Sequence, residues 1–268
     1  MNARAVLAVT RAQWLTASSY RVGMIVSLVG TIAAVVPTLL VARALQPVMA
    51  GAISSEGHQY FGFLLLGTVT FTFLPIAINT LPSSIESSIS NGTLEMVLGT
   101  PTAPAVLLSG FMGYSLLWTA LRALLLLAAG ALLGASFSLA HAPVASGILL
   151  LIFVAHVPVG LIAAASVLAF RTTGPLPQIV VVLSTLLGGV YYPTHVIPGW
   201  LRPFSDLFPL TYGLRALRRV LMDGATLAQV APDLTQLMLM TVVLFAVGTL
   251  MFSLALRYAM RNGSLGNY

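Results

Sequence analysis

Long apolar runs separated by short polar segments dominate the pattern of hydrophobic and polar positions along the chain. A helix needs about 20 mostly apolar residues, each rising 1.5 Å, to cross about 30 Å of hydrocarbon. The backbone inside that layer must be helical, because lipid offers no partner for free N–H and C=O groups. Six runs approximately meet this requirement, and they predict transmembrane helices over residues 22–42, 61–81, 105–133, 145–170, 178–192 and 234–256.

The composition agrees with this pattern, since 58% of the 268 residues are hydrophobic and only 7% are charged. Soluble domains carry about 25% charged residues. The sequence therefore predicts an all-α integral membrane protein with six transmembrane helices. The fifth predicted span is the shortest, and Gly188 and Gly189 near its end indicate that it continues into a broken or re-entrant element.

The net charge and the lack of lysine and cysteine limit which ligands and reactions this chain can support. All 12 basic residues are arginine, and the formal net charge of +6 suits lipid headgroups better than nucleic acid. Because there is no lysine, the chain cannot carry the P-loop lysine that contacts nucleotide phosphates. Because there is no cysteine, thiolate metal sites and cysteine nucleophiles are excluded. The histidines His58, His141 and His195 lie apart in loops and lack the spacing of a metal site.

Residues 1–21, which precede the first span, predict a helix lying in the membrane interface. Arg4 and Arg11 fall on one side of it, and Trp14 and Tyr20 are typical interfacial anchors. The alternative is a disordered basic tail. No compact apolar stretch before Val22 resembles a cleaved signal peptide, so we expect the first helix to be retained.

Residues 193–233 form the longest polar connection, and their two halves differ. Four prolines interrupt the first half, because proline lacks an N–H group and disfavours helix in the residue before it. The second half predicts an interfacial helix with leucines on one face and Arg215, Arg218 and Arg219 on the other.

Residues 84–101 predict a compact element outside the bilayer between the second and third spans. Ser83 to Glu86 match a capping box that would start a short helix. Asn91 and Gly92 permit a sharp turn, and Gly99 and Pro101 end the element before the third span.

Two of these segments resemble the membrane subunits of ABC-2 type ABC exporters, in particular the drug-resistance and lipo-oligosaccharide export branch. The segments read "ESSISNGTLEMVLGTP" from Glu86 to Pro101 and "GGVYYPTHVIPGWLRPFSDLFPLTYGLRALRRVLMDG" from Gly188 to Gly224. The resemblance implies a single transmembrane domain over residues 1–268 that carries no ATPase site. It also implies a bacterial plasma membrane protein whose termini and Glu86–Pro101 segment are cytoplasmic.

The same resemblance implies roles for particular residues. The segment Glu86 to Leu98 corresponds to the coupling helix that docks on a separate ATP-binding subunit, which would hold ATP and Mg. Its candidate coupling residues are Glu86, Ile89, Gly92, Thr93, Leu94 and Glu95. The segment from Gly188 to Gly224 corresponds to an outer gate region. Its candidate residues are Tyr191, Tyr192, Pro193, Pro198, Trp200, Pro209 and Tyr212.

Several charged residues allow two interpretations. Glu86 and Glu95 serve either docking to an ATPase or ordinary helix capping. Arg122 lies within the third span, where a cation costs about 2.5–3.5 kcal/mol. It either binds an anionic substrate or braces the dimer, or else it extends towards the interface or pairs with backbone carbonyls. Arg215, Arg218 and Arg219 contact either lipid headgroups or substrate phosphates.

We expect the chain to be the permease subunit of an ATP-driven exporter for a hydrophobic or amphipathic molecule. Six spans without internal symmetry suggest a homodimer with two ATP-binding subunits. The alternative is an ion-coupled secondary carrier, although its spans offer only Arg122 and His156 as ionisable groups. An intramembrane enzyme is a weaker alternative, because the sequence contains none of the G-x-S-x-G or H-E-x-x-H motifs of such enzymes. A passive anchor leaves the proline-rich gate region unexplained.

Overall fold

The computed structural model describes residues 3–90, 104–170, 172 and 174–261, and no strand occurs among them. This confirms the all-α expectation. The α-helices in the described residues are α1 Ala3–Ser19, α2 Arg21–Ala33, α3 Val35–Met49, α4 Tyr60–Ser90, α5 Pro104–Leu132, α6 Ala142–Phe170, α7 Leu176–Leu187, α8 Arg202–Ser205, α9 Pro209–Met222 and α10 Leu227–Arg261.

Five segments in the described part of the chain are long and apolar enough to cross a membrane. The helices α2 and α3 together form one of them, because Ala34 between them keeps helical angles of φ −64° and ψ −17°. The others lie in α4, α5, α6 and α10. Multiple candidate spans in one chain describe a multi-pass membrane protein.

The prediction of a fifth span over residues 178–192 differs from the structure. Helix α7 has 12 residues and so extends only about 18 Å along its axis. It ends at Leu187 because Gly189 takes a positive φ of 81° and turns the chain, and Pro193 follows. The apolar residues beyond Leu187 therefore belong to a folded loop and not to a membrane-crossing helix.

The predicted capping box at Ser83–Glu86 is also wrong. Helix α4 continues without interruption from Tyr60 to Ser90 and contains these residues in its interior. The Ser84 hydroxyl donates to the Thr80 carbonyl at 2.7 Å. It does not accept a hydrogen bond from a backbone N–H at the start of a helix. Serine side chains readily form this bond inside helices. The capping-box pattern therefore does not start a new helix where α4 already continues through it.

The chain order of the helices defines two ends of the bundle. The arginine end holds residues 50–59, 133–141 and 188–226, where α3 leads into α4, α5 into α6 and α7 into α10. The serine end holds the start of α2, the serine-rich end of α4, the start of α5 and the end of α10. Helix α1 packs beside the first half of α5, where the ring of Trp14 contacts those of Tyr114 and Trp118 edge-on.

The helices α4 and α6 form the centre of the bundle, while α2–α3 and α10 leave most of their apolar side chains exposed. Glycines allow the central backbones to approach closely. A Cβ atom at Gly160 of α6 would lie 2.8 Å from the Ala77 carbonyl oxygen and 2.9 Å from that of Ile78. A Cβ atom at Gly248 of α10 would lie 2.9 Å from the Pro158 carbonyl oxygen. Small residues at helix contacts are typical of membrane bundles.

Gly160 and Gly147 in the same helix provide a matched test of this contact. We expect Gly160→Ala to lower the thermal unfolding midpoint in detergent, because overpacking costs about 1–3 kcal/mol. Gly147→Ala should leave the midpoint unchanged or raise it, since nothing lies within 4 Å of its Cβ position and alanine favours helix. Equal midpoints for the two variants would contradict the packing argument.

Candidate functional site

The gate region, defined here as residues 188–233, starts where α7 ends. The turn after α7 requires glycine, because a Cβ atom at Gly188 would lie 2.3 Å from the Ser184 carbonyl oxygen and 2.8 Å from a Leu210 methyl carbon. Polar contacts then fix the loop: the Ser205 hydroxyl donates to the Leu187 carbonyl at 2.6 Å, and the Thr211 hydroxyl donates to the Ser205 carbonyl at 2.7 Å. Side chains of the region therefore satisfy its irregular backbone internally.

Arg218 lies at the centre of the gate region and is only 1% exposed. Its Nη1 atom donates to Glu56 Oε2 at 3.1 Å and to the Gly189 carbonyl at 2.9 Å. Its Nη2 atom donates to the carbonyls of Val190 at 3.0 Å and Phe63 at 3.2 Å. The guanidinium carbon also lies 3.3 Å from the centroid of the Phe63 ring, a cation–π contact.

This arginine joins three separate parts of the chain. Glu56 belongs to the connection between α3 and α4, Phe63 to the first turn of α4, and Gly189 and Val190 to the loop after α7. Gly67, one turn further along α4, allows the approach, since a Cβ atom there would lie 2.2 Å from the Val190 carbonyl oxygen. The gate region is thus fastened directly to the start of α4.

Burial is costly for this guanidinium, and its partners offset the cost. Desolvation lowers the pKa of Arg218 to about 10, while the Glu56 carboxylate limits the fall. The group therefore remains protonated near neutral pH, and the contact is a buried ion pair. Removing one member of such a pair leaves an uncompensated buried charge.

The structure corrects the predicted cationic face of α9. Arg218 is on the buried side with Leu214 and Leu221, because it follows Leu214 by four residues and precedes Leu221 by three. A headgroup or substrate contact requires an exposed side chain, so Arg218 does not fit that prediction. The spacing relative to the leucines was the available signal for its burial, whereas Glu56, 162 residues away, had none.

Arg215 and Arg219 remain on the partly exposed side of α9. Both face Asp233 of α10, with N–O distances of 3.3 Å and 3.8 Å and about one-third of each arginine side chain exposed. The Arg219 guanidinium also donates to the Gln229 carbonyl at 3.3 Å. Ion pairs at this exposure contribute at most about 1 kcal/mol, so they orient α9 against α10 more than they stabilise it.

The predicted gate residues divide into two groups. Pro193 and Pro209 are buried, whereas Tyr191 and Trp200 are exposed. Hydrogen bonds hold the other tyrosines: Tyr192 donates to the Leu186 carbonyl at 2.6 Å, and Tyr212 to the Asp206 carbonyl at 3.3 Å. Pro198 is exposed as well. The region thus combines a packed interior with an apolar and aromatic outer surface.

Two of the predicted coupling residues, Glu86 and Ile89, lie at the opposite end of α4. Glu86 is exposed, and Ile89 packs against the apolar cluster that includes Leu81, Ile85 and Leu168. The candidates Gly92, Thr93, Leu94 and Glu95 lie outside the described residues. In the described ranges, no three His, Asp or Glu side chains come together as a metal site.

The long apolar helices describe a multi-pass membrane protein. The sequence model of the ABC-2 type transporter family matches residues 4–222, and the chain belongs to this family. It is therefore a permease subunit of an ABC transporter, and the family implies association with an ABC ATP-binding subunit. The match includes the Glu86–Pro101 motif and almost all of the gate motif, so the family resemblance is confirmed. A comparison with curated proteins finds no match.

The buried ion pair can be tested by removing one partner or both. We expect Arg218→Met to lower the free energy of unfolding by about 3–5 kcal/mol, because Glu56 would stay buried without a counter-charge. Adding Glu56→Gln should recover part of that loss. The partly exposed Arg219 provides the control, and Arg219→Met should cost about 1 kcal/mol or less. Denaturant titration in detergent micelles measures all three, and strictly additive effects would contradict the pairing.

Proposed function

We propose that this permease exports a hydrophobic or amphipathic molecule across a bacterial plasma membrane. In this proposal two copies of the chain alternate between inward and outward access, and two ATP-binding subunits drive them with ATP and Mg. The termini and the serine end lie in the cytoplasm, and the gate region lies outside. The drug-resistance and lipo-oligosaccharide export branch is the closest functional analogy.

The continuous helix α4 is the observation that carries the proposal. At the arginine end, Phe63 and Gly67 contact Arg218 and Val190 of the gate region. At the serine end, the same helix bears the candidate coupling residue Glu86. The 23 residues from Phe63 to Glu86 span about 34 Å, so movement imposed on the serine end reaches the gate through one element.

Two prolines inside α4 do not break this connection. Pro75 and Pro82 each remove one helical hydrogen bond, yet the helix continues through both. Nearby side chains add polar contacts within the helix, with the Asn79 amide donating to the Pro75 carbonyl and the Thr80 hydroxyl to the Ile76 carbonyl. Packing on α5 and α6 also supports α4 along its length, so bends at the prolines need not decouple its ends.

The cavities support an apolar cargo. One groove of about 450 Å³ lies between α6 and α10 and is lined by side chains such as Ile148, Leu151, Leu234 and Met238. A second, of about 320 Å³, lies between α4, α5 and α6. Both linings are almost entirely apolar, which suits an alkyl chain or a ring system better than a hydrophilic solute.

The proposed source of energy is testable by reconstitution. The chain alone in proteoliposomes should not move a fluorescent amphiphile uphill, whereas the chain with its ATP-binding subunit and Mg-ATP should. Uphill transport by the chain alone would overturn the proposal. Collapse of the ATP-dependent signal on adding a protonophore, with ATP held constant, would instead indicate an ion-coupled carrier.

The coupling element has its own test. We expect Glu95→Lys and Gly92→Val to reduce transport strongly while ATP hydrolysis and membrane insertion persist, because the altered segment would no longer transmit the movement of the ATPase. Arg257→Gln, on the cytoplasmic end of α10, serves as a surface-charge control and should leave the ratio of transport to hydrolysis unchanged. Normal transport in both coupling variants would contradict the assigned role.

A further inference from the structure

Arg122 lies at the midpoint of Met112–Leu132, the candidate membrane span within α5. Its Nε atom donates to the Thr31 hydroxyl oxygen of α2 at 2.9 Å. Thr31 follows Arg21, the start of α2 at the serine end, by ten residues, and Arg122 precedes Leu132, the end of α5 at the arginine end, by ten. Each interval corresponds to about 15 Å of helix, so the two helices independently place the pair at mid-depth.

The contact with Thr31 satisfies only part of the guanidinium. The Thr31 hydroxyl donates its own proton to the Ser27 carbonyl at 2.8 Å, which directs its oxygen lone pairs towards Arg122. Among the described residues, Thr31 is the one hydrogen-bond partner of Arg122, so Nη1 and Nη2 keep unused donors. The side chain is half-buried, and neither Nη1 nor Nη2 has a hydrogen-bond partner among the described residues.

No carboxylate forms an ion pair with Arg122 among the described residues. The six acids of the chain are Glu56, Glu86, Glu95, Asp206, Asp223 and Asp233. Five of them lie at the two ends of the bundle, and Glu95 lies outside the described residues. A second copy related by an axis along the membrane normal would place the same acids at the same depths. A counter-anion at mid-depth must therefore come from another molecule.

Arg122 also cannot easily reach the lipid headgroups. An arginine side chain is much shorter than the roughly 15 Å to the end of α5. Helical side chains lean towards the N-terminus of their helix, and the N-terminus of α5 lies at the serine end. Leaning thus directs the guanidinium away from the arginine end and does not bring it to a surface. Resident phospholipids keep their phosphates at the surface and do not supply an anion at this depth.

We propose that the transported molecule carries an anionic group, such as a phosphate, carboxylate or sulfonate, which Arg122 binds as it passes mid-membrane. The open Nη1–Nη2 edge matches two anionic oxygens, and the apolar surroundings accept the rest of an amphiphile. This assignment rests on the proposed export function and narrows its cargo to anionic amphiphiles. It also gives a reason for keeping a cation where insertion is costly.

A matched pair of probes tests the assignment. The complex of the full chain with its ATP-binding subunit would be placed in phosphatidylcholine nanodiscs, and binding of fluorescent dodecyl phosphate would be compared with that of the corresponding dodecanol. We expect the wild type to prefer the phosphate about tenfold or more, as a charge-assisted bond predicts. Arg122→Gln should abolish that preference while leaving dodecanol binding unchanged, and Arg122→Lys should retain part of it.

One further variant serves as the control. Arg43→Gln removes an exposed arginine near the end of α3, outside the proposed site, and should preserve the preference. No preference in the wild type, or the same preference in Arg122→Gln, would overturn the proposal. Displacement of dodecyl phosphate by phosphatidylglycerol in the nanodisc would identify a lipid as the anion's source and would overturn the cargo assignment.

Failure of this inference can be separated from failure of the export proposal. ATP-driven transport of the neutral dodecanol probe without any charge preference would support export and reject an anionic cargo. Absence of ATP-driven transport for both probes, with the binding preference intact, would count against the proposed export of amphiphiles but keep the anion site.

Discussion

The buried charge of Arg218 is the constraint on which the gate region depends. A guanidinium away from water must find its partners within the protein, and here Nη1 and Nη2 find theirs in three distant parts of the chain, whereas Nε has none among the described residues. Separating any of them would expose Glu56 or leave donors of Arg218 empty in an apolar setting. The gate region, the α3–α4 connection and the start of α4 therefore move as one body. The partly exposed pairs with Asp233 add orientation but no comparable restraint.

Arg122 and Arg218 show how differently the same residue type is used. Arg218 contacts one carboxylate, three backbone carbonyls and the face of an aromatic ring, so groups of the protein itself stabilise its charge. Arg122 has one neutral hydroxyl and no carboxylate as a partner among the described residues. Four hydrogen bonds from Nη1 and Nη2 and a buried carboxylate indicate a structural role for Arg218, whereas the lack of any partner for Nη1 and Nη2 of Arg122 among the described residues fits a partner that is not always present.

The sequence predicts the long spans well because lipid imposes a local rule. The predicted starts at residues 61 and 105 lie one residue from Tyr60 and Pro104, since hydropathy alone decides where these helices begin. Prediction from the sequence fails where the packing and continuation of neighbouring helices override a local pattern. The residues of the predicted capping box lie in the interior of α4, which continues to Ser90. The apolar residues after Leu187 form a loop, because Gly189 adopts a positive φ and turns the chain.

The candidate site was less predictable, because its decisive contacts join residues far apart in the chain. The motif indicated that the gate region matters, and the leucine spacing of α9 carried the burial of Arg218. Nothing in the sequence connected Arg218 with Glu56, or Arg122 with Thr31, which is 91 residues away. Such pairings follow from how the helices pack, and one sequence does not contain that information.

Close packing also restricts the movement through which a transporter can work. Gly67, Gly160 and Gly248 bring backbones so near to one another that α4, α6 and α10 cannot slide without steric clashes. The apolar surfaces of α2–α3 and the outer face of α10 carry no comparable contacts within the described chain. A rotation of the whole bundle against a neighbour across these surfaces disturbs the fewest contacts, and the alternation proposed above for two copies would use a movement of that kind.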